Sequence, residues 1–135
     1  MKKTILFICT HNSARSQMAE GLVNHYWKDR YQVFSAGTQA GKVNPYAIEA
    51  MKEIGINISK ARSKNAAEFL GKAFDLVVTV CDSAKETCPF FPGAKDYIHR
   101  GFPDPTQAKG DGTHVAAVFR KTRDEIRSWL KNILK

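Results

Sequence analysis

The sequence predicts an α/β fold built on an open, parallel, four-stranded sheet flanked by helices in flavodoxin-like layers. Residues 4–8 and 75–80 are apolar runs without the polar alternation of a half-exposed strand, as expected of strands covered on both faces. Segments of strand character alternate with segments whose apolar residues recur at helical spacing, the pattern of an open parallel sheet. Each of the two apolar runs is followed by a cysteine, Cys9 and Cys81, at the carboxyl edge where such sheets bind their ligands.

Taken in order, residues 4–8 form the first strand, and the polar run from Thr10 to Ser16 breaks it. Met18, Ala19, Leu22, Val23 and Tyr26 then share one helical face up to about Trp27, and Asp29-Arg30 ends that helix. Residues 31–35 read as a second strand with 36–38 as its exit turn. Asn44 as N-cap and Pro45 at the first helical position open a second helix, with Ala47, Ile48, Met51 and Ile54 as its apolar face and Gly55 closing it. Ser63 is expected to cap a shorter helix carrying Ala66, Ala67, Phe69 and Leu70, which Gly71 ends. Residues 75–80 form the third strand, a short fourth lies around Tyr97 and Ile98, and a Pro- and Gly-rich loop runs over 101–112. The last helix repeats apolar residues at Val115, Val118, Phe119, Ile126, Trp129, Leu130 and Ile133. Arg120, Arg123, Arg127 and Lys131 are expected on its water-facing side.

At 135 residues, the chain is expected to form one domain over 1–135 with a substantial core. Its apolar runs are too short for a membrane span, and the one following Met1-Lys2-Lys3 is too short for a leader and lacks a cleavage pattern. The expected location is the cytoplasm, with no membrane partner. Three cysteines are too few for a secreted disulfide scaffold, so they are reactive, metal-binding or packed. Lys and Arg number 21 against 13 Asp and Glu, and the resulting +8 gathers small anions or an acidic partner protein. No basic tail, aromatic-interleaved stripe or zinc-finger spacing focuses that charge, so nucleic acid is not an expected partner.

The chemistry centres on Cys9, Thr10, His11, Asn12, Ser13, Ala14, Arg15 and Ser16. Five residues between Cys9 and Arg15 suffice to curl around a tetrahedral oxyanion with backbone N–H groups inward, while the following helix aims its N-terminus at the same point. A cysteine in that position beside an arginine is placed to react as a thiolate. Arg15 can grip two oxygens at once, as Lys cannot. Ser13 and Ser16 offer hydroxyl donors to the thiolate or the loop, and Asn12 tolerates a left-handed backbone.

Cys81 and Cys88 stand with six residues between them on a loop leaving a central strand, and they can meet if the segment coils. By residue type they are a packed pair, a metal site or a redox pair. The zinc reading lacks a C-x2-C or a histidine at ligand spacing, and no metal is expected. Phe102-Pro103-Asp104-Pro105 places a carboxyl group on a rigid loop, either as a simple turn or as a general acid for an oxygen leaving the cradle.

With these residues in place, the chain resembles the thioredoxin-coupled, low-molecular-weight phosphatase-like arsenate reductases over essentially its full length. The matching residues are Cys9 through Glu20, Ser35-Ala36-Gly37, Asn44-Pro45, Ile48 to Met51, the Cys81 and Cys88 pair, Asp104-Pro105 and Arg123 to Ile126. Plain tyrosine phosphatases of that fold share the cradle and the Asp-Pro loop but generally lack the redox pair. The resemblance implies that Cys9, Arg15, Cys81, Cys88 and Asp104 are catalytic. Cys9 attacks arsenate, Asp104 protonates the departing oxygen, Cys81 displaces arsenite, and Cys88 moves the disulfide to where thioredoxin reduces it. Arsenate, with phosphate or sulfate as analogues, is then the substrate, thioredoxin the electron donor, and the enzyme a monomer without a tightly bound cofactor. Some relatives hold a monovalent cation through groups like Asn12, Glu20 and Ser35; here Lys64 stands where an acidic partner is expected, so its ammonium is expected to replace the ion. His11 and Ala14 depart from the common glycine and cysteine. A phosphatase acting on phosphate monoesters and a non-catalytic oxyanion or redox sensor are the alternatives.

Overall fold

The computed structural model describes residues 2–82 and 91–134. Its elements run β1 (Lys3–Cys9), α1 (Arg15–Tyr26), β2 (Tyr31–Gly37), α2 (Pro45–Lys52), β3 (Phe74–Thr79), β4 (Ala94–His99) and α3 (Gly112–Ile133). Single 3-10 turns at Ala66–Phe69 and Pro105–Gln107 complete the order. All four strands are parallel in the order β2-β1-β3-β4. The expected α/β class and four-stranded parallel sheet are therefore what the chain forms.

Alternation along β1 sorts the core into two layers. Ile5, Phe7 and Cys9 point into the larger cluster, which contains Met18 and Leu22 of α1, Ala47 and Met51 of α2, and Phe119, Ile126 and Leu130 of α3. Leu6 and Ile8 point to the other face, where Ala36, Phe69, Phe74, Val77 and Phe91 cover them. Among the described residues, the three helices share one face of the sheet, and phenylalanines with a 3-10 turn cover the other. This two-sided burial is why β1 reads as an uninterrupted apolar run.

Strand order reverses at β1, whose chain leaves toward β2 while β3 flanks its other side. The crevice at the carboxyl ends of β1 and β3 is thus the place where an open α/β sheet accepts a ligand. Val80 N–H continues the ladder by donating to the Ile8 carbonyl at 2.9 Å, bringing the ends of the two strands level just before Cys9 and Cys81.

Several local expectations are corrected. β2 runs through Gly37 instead of turning at residue 36, because Gly37 pairs with Cys9 and donates to the Lys64 carbonyl. The short helix is a single 3-10 turn capped by Asn65, whose side chain accepts from Ala67 N–H. Ser63 instead donates to the His11 carbonyl and accepts from Gly41 N–H, serving the loop after β1. Asn44 caps α2 as expected, but regular helix ends at Lys52, before Ile54. Tyr26 is exposed, its ring covered by the Arg127 guanidinium at 4.7 Å. Arg123 does not face water: it is buried, and its Nη1 donates to the Ala50 carbonyl at 2.6 Å and to Glu53 at 3.1 Å. Among the described residues no helix is long and apolar enough to cross a membrane.

Candidate active site

Cys9 ends β1 as a buried free thiol. Its Sγ lies 2.9 Å from Ser16 Oγ and accepts from Asn12 N–H at 3.2 Å, so the loop folds back over the sulfur. Asn12 is the one non-glycine among the described residues with positive φ, 51°, the left-handed conformation expected of it. Its side chain is fully used: Nδ2 donates to Ser16 Oγ at 2.8 Å and Ser35 Oγ at 2.9 Å, while Oδ1 accepts from Gln17 Nε2 at 2.9 Å and Lys64 N–H at 2.8 Å. Four bonds exhaust what a carboxamide can make. They hold a conformation that most side chains resist.

The rest of the loop is pinned by its carbonyls. Thr10 O accepts from Gln39 N–H at 2.8 Å, Ser13 O from Asn44 N–H at 2.9 Å, and His11 O from the Ser63 hydroxyl at 3.0 Å. The His11 ring is exposed with Nδ1 3.2 Å from the Gln39 carbonyl, so it neither takes the left-handed turn nor enters the buried network. Ala14 stands at the N-cap of α1 and supplies no side-chain cap, which leaves the first amides of that helix suited to an anion. Ser16 delivers its hydroxyl to the thiol as expected, whereas Ser13 contributes its carbonyl.

Arg15 opens α1 with only 3% of its side chain exposed. Its Nη1 donates to the Phe102 carbonyl at 3.2 Å, and its Nη2 lies 3.6 Å from Asp104 Oδ2. The other carboxylate oxygen, Asp104 Oδ1, accepts from Thr106 N–H at 3.0 Å and from the Thr106 hydroxyl at 2.7 Å, capping the 3-10 turn. One oxygen fixes the carboxylate while the other faces the arginine. The loop with its guanidinium and the carboxyl group thus converge from two distant parts of the chain, an arrangement suited to an oxyanion attacked by sulfur and protonated by the carboxyl group.

Cys81 follows the end of β3, fully buried in the same cluster as Cys9, and is disulfide-bonded. Cys88 lies outside the described residues. Behind the loop, Ser35 Oγ donates to Glu20 Oε1 at 2.5 Å, and Lys64 Nζ stands 3.5 Å from the same oxygen and donates to the Arg62 carbonyl at 2.8 Å. An ammonium already faces Glu20, so these residues do not fit a bound monovalent cation. Among the described residues no three His, Cys, Asp or Glu side chains are placed to hold a metal.

Two contributors escaped the sequence reading. Gln17, 1% exposed, donates from Nε2 to Asn12 Oδ1, to the Asn12 carbonyl at 3.3 Å and to the Arg62 carbonyl at 3.0 Å. Its one signal is a polar residue beside the apolar stripe of α1. Gly37 matters by what it lacks: a Cβ there would lie 2.5 Å from the Thr10 carbonyl oxygen and 2.9 Å from Asn12 N. Real Cβ atoms do not approach backbone that closely, so only glycine lets the loop close against β2.

Residues 4–135 match the family model described as low molecular weight phosphotyrosine protein phosphatase. A protein named arsenate reductase from Halalkalibacterium halodurans is 49% identical over 130 residues, covering 96% of this chain and 94% of that one. A solved arsenate reductase in its oxidized state superposes with a TM-score of 0.81 at 28% identity, covering 97% of this chain and 95% of that one. A thioredoxin-dependent arsenate reductase of Corynebacterium glutamicum superposes with a TM-score of 0.69 at 31% identity, covering 98% of this chain and 62% of that one.

Proposed function

The chain belongs to the low molecular weight phosphotyrosine protein phosphatase family, and within it we propose that this protein is an arsenate reductase that draws its electrons from thioredoxin. The observation that carries the reading is a second cysteine, Cys81, buried with Cys9 where β1 and β3 end side by side. A phosphatase needs only the first.

In this reading arsenate enters the cradle between the loop amides and Arg15. The Cys9 thiolate attacks arsenic, an As–O bond breaks, and Asp104 donates the proton that lets the oxygen leave as water. Cys81 as thiolate then attacks Cys9 sulfur. The S–As bond breaks with its electron pair staying on arsenic, so As(V) becomes As(III), and the two sulfurs are oxidised to a disulfide. Cys88 attacks Cys81, freeing Cys9 and leaving a Cys81–Cys88 disulfide for reduced thioredoxin to open by the same exchange. The protein works as a monomer in the cytoplasm, where thioredoxin is kept reduced.

Arsenate-dependent NADPH consumption with thioredoxin and thioredoxin reductase tests this, using wild type beside Cys9→Ser, Cys81→Ser and Cys88→Ser. Sustained turnover in wild type and its loss in each variant is the expected result. A second reading, hydrolysis of phosphate monoesters, is favoured by the convergence of Cys9, Arg15 and Asp104, which does not involve Cys81. Aryl phosphate hydrolysis that depends on Cys9 and ignores the other two cysteines, without arsenate turnover, would establish it instead.

A further inference from the structure

The segment after β4 ties together three parts of the site. Arg100 N–H donates to the Thr79 carbonyl at 2.9 Å, and Phe102 N–H donates to the Val80 carbonyl at 3.1 Å. The chain thus advances two residues past β4 against one past β3, and Gly101 is the surplus residue, as in a bulge. Next to it, Phe102 accepts from Arg15 through its carbonyl and buries its ring edge-on against Trp129. Asp104 follows two residues later. Gly101 therefore joins the acid loop and the arginine to the end of β3.

Its neighbours leave no room for a side chain. A Cβ on Gly101 would stand 2.9 Å from the Cys81 carbonyl oxygen, 3.4 Å from His99 Nε2 and 3.6 Å from Asp82 Cα. Gly101 is not among the glycines with positive φ, so its backbone conformation is one that alanine also adopts. Space, not conformation, is what the glycine supplies. We propose that Gly101 is a positioning residue for the thiol relay: its missing side chain lets the Cys81 carbonyl lie against the bulge and so sets the backbone position from which the reduced Cys81 sulfur attacks Cys9.

The direction of displacement follows from the anchors. Gly101 is held on one side by the Arg100 bond to Thr79, and on the other by the Phe102 bond to Val80 and the buried Phe102 ring. Val80 is itself held by its bond to Ile8. The Cys81 carbonyl oxygen is the atom nearest to the added methyl group, so the strain falls on the Cys81 backbone before it reaches the cradle. A shift of about 1 Å in a reacting sulfur is enough to slow an attack by about tenfold to a hundredfold. Oxyanion binding at Cys9 and Arg15 stays intact.

This inference rests on the arsenate reductase reading, and the experiment separates the two. Gly101→Ala is made in wild type and in a Cys88→Ser background, where the relay stops at the Cys9–Cys81 disulfide. The readouts are thioredoxin-coupled arsenate turnover, the rate of disulfide formation after arsenate addition, and alkylation of Cys9 by iodoacetamide with and without inorganic phosphate. The expected result is turnover and disulfide formation slowed by about tenfold or more, with unchanged Cys9 alkylation and unchanged protection by phosphate. Unchanged disulfide formation overturns the proposal. So does loss of phosphate protection, which would make Gly101 a support of the whole fold. If wild type itself does not reduce arsenate, the functional reading fails, and this inference with it.

Discussion

At the scale of single residues, the loop after β1 is shaped by groups that hold Asn12 in place. Asn12 makes four side-chain bonds, Gln17 locks it from behind, and Gly37 makes way for it. Gly37→Ala places a Cβ against two backbone atoms that cannot swing aside, so the loop must open. The expected outcome is a loss of about 1 to 3 kcal/mol of stability, the range of an overpacked site, together with loss of phosphate protection of Cys9 against iodoacetamide. Denaturant unfolding and alkylation kinetics read the two effects. Lys64 gives a second prediction at this scale. With its ammonium 3.5 Å from Glu20 Oε1, the position behind the loop already holds a positive charge. Arsenate turnover at constant ionic strength is therefore expected to be the same in sodium and potassium salts; a strong rise in potassium would show that an ion does bind there.

Among the elements, the polar links are few and local in effect. Asn44 caps α2 by accepting from Tyr46 N–H at 2.8 Å, and Pro45 presets the first turn. Asn44→Ala is expected to lower stability by about 1 kcal/mol, read as a shift in the denaturant midpoint with Cys9 reactivity preserved. At the other end of the sheet, Asp75 joins the start of β3 to β1. Thr4 N–H donates to its carboxylate at 2.8 Å and Lys95 Nζ lies 3.3 Å away, and these, Thr4 first, hold the Asp75 carboxyl below the usual carboxylate range. A depressed folded value means that the unfolded chain takes up the proton first. The stabilisation is therefore present above the ordinary carboxylate range and is lost as pH falls through and below it. Asp75→Asn is expected to flatten the pH dependence of thermal unfolding in that acid window and to leave it unchanged near neutrality.

Across the whole molecule, one buried side chain binds α3 to α2. Arg123 donates to the Ala50 carbonyl and to Glu53, with Asp124 balancing its charge. Arg123→Met removes the donors but keeps much of the apolar stem, so the Ala50 carbonyl loses its partner. The expected loss is about 1 to 3 kcal/mol, measured by denaturant unfolding, without loss of phosphate protection at Cys9, because the bonds removed go to the C-terminal end of α2 and not to the loop. Arg123 also marks where sequence reading stops. It falls between Arg120 and Arg127 in a run of basic residues, and nothing in the spacing distinguishes a guanidinium reaching into a helix interface from one in water. Ser63 and Asn65 show the same limit, since either can cap the turn that follows, and only the position of the His11 carbonyl decides between them. The chain by itself determined the two central strands, β1 and β3, whose burial on both faces writes apolar runs. It also determined the Cys9 to Arg15 loop, because strand, loop and helix are contiguous, and the Asn44 cap, because capping is local. Tertiary structure alone decided that Asp104 and the Phe102 carbonyl meet Arg15, and that Gly37 and Gly101 must have no side chain. These are contacts between segments far apart in the chain, and the requirement for each glycine comes from a neighbour that its own sequence context does not contain.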